Sequence, residues 1–221
     1  MMLTGVCINA QNVLKVSNGT TLKTTGGVVI TLQNMDLGNG GTINQASGDG
    51  SFRFTGTQTS AIKGASQPTI CILDVVKTNN SKLLLNTNIN IGSSINFIAG
   101  QLDLNNNNIL MNATANISGE SETNRIIGAN GGFVEITQNM NAPFSVTAGN
   151  LGATITSAAN LGSVTIRRGH TAQSGTGLTG SVQRYYSIVP ANNSNLNATL
   201  RLKYFDGELN GQNESALVLF N

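Results

Sequence analysis

The chain has 221 residues, enough to bury a substantial core as one or two domains. Only 10% of them are charged, against roughly 25% in an average globular protein. A formal net charge of +2 excludes the polybasic surface of a nucleic-acid binder, and 39% apolar residues exclude a charge-rich disordered tail.

Residues 1–11, MMLTGVCINAQ, read as the remnant of a secretory signal. A short apolar run leads to the small-residue end Ile8-Asn9-Ala10, though no basic segment precedes it. Cys7 falls in this stretch, so with two cysteines in all no disulfide framework is expected. Cys71, inside Thr69-Ile70-Cys71-Ile72-Leu73, reads as a small core hydrophobe. No later run is long enough to cross a bilayer.

Strand and turn signals begin at Val13, Leu14 and Val16, which lead to Asn18-Gly19. Gly26-Gly27 precedes a strong strand, Val28 to Leu32. Leu37 is followed by Gly38-Asn39-Gly40-Gly41 and Ile43. Phe52 and Phe54 alternate with Ser51, Arg53 and Thr55, and Ile70 to Val76 is the most continuous apolar strand.

The stretch Lys82–Gly119 carries the pattern most clearly. Ile89/Ile91, Ile95/Phe97 and Leu102/Leu104 alternate, and alternation marks strands with one buried face. Gly92-Ser93-Ser94, Ala99-Gly100 and Asn105 to Asn108 separate them with turn formers. Many short strands with no helix between them predict an all-β protein. Residues 12–130 are expected to wind as a parallel β-solenoid (β-helix) of about five coils, each of about 20–25 residues.

Near Gly131-Gly132 the rhythm changes. Seven strands are expected over 131–221: Phe133–Thr137, Phe144–Ala148, Ala153–Ser157, Ser163–Arg168, Ser181–Val189, Ala198–Phe205 and Ala216–Phe220. That count predicts an immunoglobulin-like antiparallel β-sandwich. Tyr185, Tyr186, Tyr204, Phe205 and Phe220 would fill the space between its sheets.

The last forty residues also carry a resemblance. Arg184-Tyr185-Tyr186-Ser187-Ile188-Val189-Pro190, then Asn197 to Phe205, then Glu208-Leu209-Asn210-Gly211 and Glu214, resemble a repeated module of large Bacteroidetes surface proteins secreted by the type IX route. Gly40-Gly41-Thr42-Ile43 through Phe52-Arg53-Phe54-Thr55-Gly56 looks like the β-solenoid that precedes that module. The resemblance implies a secreted or cell-surface, adhesin-like region of a longer protein and brings no catalytic residues. Its partners would be surface glycans or other surface proteins.

Enzymatic chemistry finds little support. The carboxylates Asp36, Asp49, Asp74, Asp103, Glu120, Glu122, Glu135, Asp206, Glu208 and Glu214 are scattered, and Asp36, Asp74 and Asp103 sit by strand ends where Asp serves turns. His170 is the single histidine and reads as loop surface, with Ser174 a weak nucleophile candidate beside it. Arg167-Arg168 reads as a solvent-facing or edge pair.

One His and an isolated Cys argue against zinc. Gly38 to Gly41 and Gly48-Asp49-Gly50 resemble calcium-roll turns without the repeating Asp. Thr55, Thr57 and Thr59 would share a face as an ice-binding array does, but do not recur on later coils. Asn-X-Ser/Thr sequons at Asn18, Asn79, Asn112, Asn116, Asn192, Asn197 and Asn213 follow from composition. No catalytic, cofactor-binding or metal residue is therefore expected. The reading is a non-catalytic structural or adhesive protein; the alternative is a carbohydrate-binding or polysaccharide-cleaving solenoid.

Overall fold

A computed structural model describes residues 12–176 and 180–219. The expected leader, residues 1–11, and the end of the last expected strand, Phe220, lie outside them.

The chain winds through six turns. The first holds β1 (Asn12–Val16), β2 (Thr21–Leu22) and β3 (Val29–Gln33), and the second β4 (Met35–Asn39), β5 (Thr42–Ile43) and β6 (Ser51–Gly56). The third holds β7 (Ser60–Lys63) and β8 (Thr69–Lys77), and the fourth β9 (Lys82–Asn86) and β10 (Ile89–Ala99). The fifth holds β11 (Gln101–Asp103), β12 (Ile109–Met111) and β13 (Asn116–Ser118), and the sixth β14 (Ile126–Ile127) and β15 (Phe133–Asn141). Register partners Asn12/Met35, Leu37/Ile62, Ser60/Leu83, Lys82/Gln101 and Leu102/Ile126 set repeats of 23, 25, 23, 19 and 24 residues.

One parallel sheet runs β1-β4-β7-β9-β11-β14, and another runs from β3 through β6, β8, β10 and β12 to β15. Inward positions stack turn upon turn. Phe52, Leu73, Ile95 and Ile117 form one column, and Ile70, Ile91, Met111 and Ile136 another, all buried. Cys71 is fully buried, as its surroundings predict.

Polar residues stack as well. Along the outward column Arg53–Asp74–Asn96–Ser118, Arg53 donates to Asp74 at 3.0 Å, Asn96 to Asp74 at 2.8 Å and Ser118 to Asn96 at 2.8 Å. At one corner Asn105 donates to Asn86 at 2.9 Å and Asn130 to Asn105 at 3.1 Å. Asn105 turns the chain in the left-handed region (φ 45°), which Asn tolerates. Gly64 (φ 127°) lies where a Cβ would run into the backbone of Asn39 one turn earlier, so only glycine fits that corner.

The large sheet crosses residues 128–133 without a break. β15 pairs in parallel with β12 on one side and antiparallel with β17 (Asn160–Gly169) on the other, and β18 (Tyr185–Pro190) follows. β16 (Ala153–Thr156) and β19 (Thr199–Leu202) make a separate antiparallel pair. Of the seven strands expected beyond residue 131, these five form. Phe144–Ala148 contributes a single bridge, Val146 to Ile155, because Ser145 takes a left-handed turn (φ 53°) and a 3-10 turn follows at Ala148–Asn150. Glu214–Ala216 is likewise a 3-10 turn. No helix among the described residues is long and apolar enough to cross a membrane.

Candidate functional site

The densest chemistry lies where residues 119–125, the loop into the sixth turn, meet the C-terminal strands. Arg168 stands on β17 with Val164 and Ile166 on its inward face, and all three are fully buried. The expectation of a solvent-facing Arg167-Arg168 pair holds for Arg167 alone, whose side chain is 50% exposed and pairs with Glu135. Arg168 meets both carboxylate oxygens of Glu120 at 2.8 Å and the Leu151 carbonyl at 3.2 Å. Burial pushes the Glu120 carboxyl up, but the Arg168 guanidinium outweighs it and holds its pKa below the usual range.

Glu208 is the second anchor. It accepts from the Arg184 NH2 group at 3.0 Å and from the Phe205 backbone N–H at 2.9 Å, and His170 Nδ1 lies 3.1 Å away. Burial works against the Glu208 carboxylate, yet His170 and Arg184 bring its pKa down to about 2. Burial lowers the His170 pKa to about 4, more than the Glu208 contact restores. At neutral pH His170 is therefore neutral and donates Nδ1–H to an ionised Glu208. It is 4% exposed, not loop surface as its flanking residues suggest. Parity is the signal that finds both residues, since Arg168 and His170 continue the inward alternation of Val164 and Ile166.

Phe205 sits among three cations. Arg184, Lys203 and Arg125 lie 4.7, 5.0 and 5.5 Å from its ring centroid. Glu122 accepts the backbone N–H groups of Asp206 at 2.9 Å and Gly207 at 3.1 Å. The loop 119–125 thus grips segment 205–208 through side chains and backbone together. These carboxylates are evident in the sequence but nothing in it joins them to their partners, because Glu120 and Arg168 are 48 residues apart.

The other candidate residues do not converge. Asp36 accepts from Lys63 at 2.6 Å and from the Ala61 N–H at 2.8 Å, Asp74 from Arg53, and Asp103 lies 3.6 Å from Lys82. Asp36 and Asp103 belong to one sheet and Asp74 to the other, where it stands in mid-strand rather than at a strand end. Asp49 accepts the Ala46 N–H at 2.6 Å, a turn contact. β6 ends at Gly56 (φ 100°), where the chain turns, so Thr55, Thr57 and Thr59 do not form one strand face. Among the described residues no three His, Cys, Asp or Glu side chains are grouped to hold a metal ion.

Two adjoining depressions open beside the anchored segment. One, of about 330 Å³, lies against Glu120, Arg184 and Phe205. The other, of about 550 Å³, is lined by Thr154, Arg201, Tyr204, Asp206 and Glu214. Asn150, Gly152 and Lys203 border both. No known protein family, curated relative or solved structure matches the chain.

Proposed function

We propose that the chain is a non-catalytic structural or adhesive segment of a secreted or cell-surface protein. The observation that carries this reading is the end-to-end stack of six turns, closed at its C-terminal end by strands that the buried Arg168–Glu120 and Arg184–Glu208 pairs hold in place. Such a stack is a stiff body with long flat faces, suited to spacing or presenting contacts. Low charge and polar ladders on the outward face agree with it, as does the resemblance to type IX-secreted Bacteroidetes surface proteins. Within this reading, residues 131–221 serve as a reduced β-sandwich that ends the solenoid, and residues 1–11 as what remains of an export leader.

Antibody labelling of producing cells tests it. Intact cells or their medium should give the full signal. A signal gained only after permeabilisation would contradict the reading.

A further inference from the structure

The carboxylates of this chain are nearly all engaged, and the depression between β19 and segment 147–154 holds the exception. Nine of the ten carboxylates accept a hydrogen bond or face a cation. Asp206 is the one whose carboxylate has no such partner among the described residues, and it lines this depression. Arg201 and Lys203 line it too, and neither has a carboxylate within 4 Å among the described residues. They stand two residues apart, so they share one side of the strand line.

The neighbouring groups are fixed. Asn150 donates to the Ile117 carbonyl at 3.1 Å, which ties that loop to the solenoid. The hydroxyls of Thr147 and Thr154 meet at 2.7 Å, and the Tyr204 hydroxyl donates to Glu214 at 2.8 Å. Gly152 (φ 92°) keeps the floor open where the Tyr186 hydroxyl and Arg184 come close.

We propose that this groove binds a neutral oligosaccharide. A sugar hydroxyl both donates and accepts, so its site needs carboxylate acceptors and cationic or amide donors side by side. Asp206 and Glu214 supply the first, and Arg201, Lys203 and Asn150 the second. A groove for an anion would be cationic throughout, and this one is not. The half-buried Tyr204 ring offers an apolar face for a pyranose, and about 550 Å³ lies within the usual range for small-ligand sites. The proposal rests on the non-catalytic adhesive reading above.

The test is isothermal titration of the full chain with neutral hexose tetrasaccharides, uronic-acid tetrasaccharides and a poly-glutamate peptide, with recovered sugar analysed for cleavage. Binding of a neutral tetrasaccharide, recovered intact, is expected. Arg201→Ala, Lys203→Ala and Asp206→Asn should each weaken it about tenfold, as loss of one charged hydrogen bond does. The melting temperatures of Arg201→Ala and Asp206→Asn should stay at the parent value, because both side chains are exposed, while Lys203→Ala should lose only the small contribution of its Phe205 contact. Binding of none of the probes, binding of the uronate or peptide alone, or neutral-sugar binding that the three variants leave unchanged would overturn the site. Neutral-sugar binding with cleavage would leave the site standing and overturn the non-catalytic reading.

Discussion

Replacing Glu120 by Gln should cost the fold about 3–5 kcal/mol, the usual penalty for stranding one partner of a buried ion pair. Arg168 is fully buried and reaches Glu120 through two 2.8 Å bonds. Its remaining contact is the Leu151 carbonyl at 3.2 Å, and its Nε has no hydrogen-bond partner. Gln offers one acceptor and no charge, so the guanidinium stays desolvated without compensation. That loss is a large part of the 5–15 kcal/mol that holds a typical domain together.

Arg168→Met alone should cost less, because the Glu120 side chain keeps 11% of its exposure and can be hydrated or protonated. The double variant Glu120→Gln/Arg168→Met should be less destabilised than the sum of its single changes by about 2 kcal/mol or more. Urea unfolding followed by circular dichroism gives the three values, and hydrogen exchange in β17 reports whether the C-terminal strands loosen before the solenoid does. A Glu120→Gln chain within about 1 kcal/mol of the parent would refute the claim that this pair clamps the C-terminal strands to the sixth turn.

Three further outcomes follow from the same contacts. Acid should destabilise the fold: His170 titrates at about 4 when folded against 6.5 when exposed, so its contribution is full above pH 6.5 and fades as the pH falls toward 4. Glu208, near 2 when folded against 4.5, loses its share in the same direction at lower pH. The His170 part amounts to about 3 kcal/mol, and a melting temperature that holds or rises between pH 7 and 4.5 would contradict it. Gly64→Ala should cost at least about 2 kcal/mol through backbone strain and collision with Asn39, while Gly19→Ala, with open space around it, should cost about 1 kcal/mol; equal losses in urea unfolding would refute the close approach of turns. Phe52→Ala should cost about 3–5 kcal/mol, because its ring fills the column above Leu73 with no exposure, and a loss under 1 kcal/mol would show that column unfilled.

The solenoid was legible because its information is local. Alternation at Ile89/Ile91 and Ile95/Phe97 names the buried face, and the Asn and Gly clusters name the corners, so repeat lengths near the observed 19–25 residues follow from strand spacing. The C-terminal part was less legible. Its strands Phe133–Asn141 and Asn160–Gly169 follow from the same alternation, but no local signal says that the first pairs with Ile109–Met111 of the solenoid. Phe144–Ala148 has strand composition and is bent away from it by its flanking turns, a tertiary effect. Arg168 shows the cost of reading a residue type instead of its parity: arginine suggests solvent, while its place after Val164 and Ile166 points inward. Glu120 and Glu208 find their partners only across long separations, so the anchoring cluster had no signature in any one stretch.

Paired cysteines test the parallel stacking of successive turns directly. In the structure Val29 faces Ser51 and Gln33 faces Thr55, both 22 residues apart. Adjacent strands lie about 4.8 Å apart, within reach of a disulfide. In a chain carrying Cys7→Ser and Cys71→Ala, Val29→Cys/Ser51→Cys and Gln33→Cys/Thr55→Cys should each close a bridge on mild oxidation. Gln33→Cys/Val76→Cys, which spans two turns, should stay reduced. An antiparallel pairing can close only one of the two adjacent pairs, so bridging in one alone, or in neither, would contradict the solenoid.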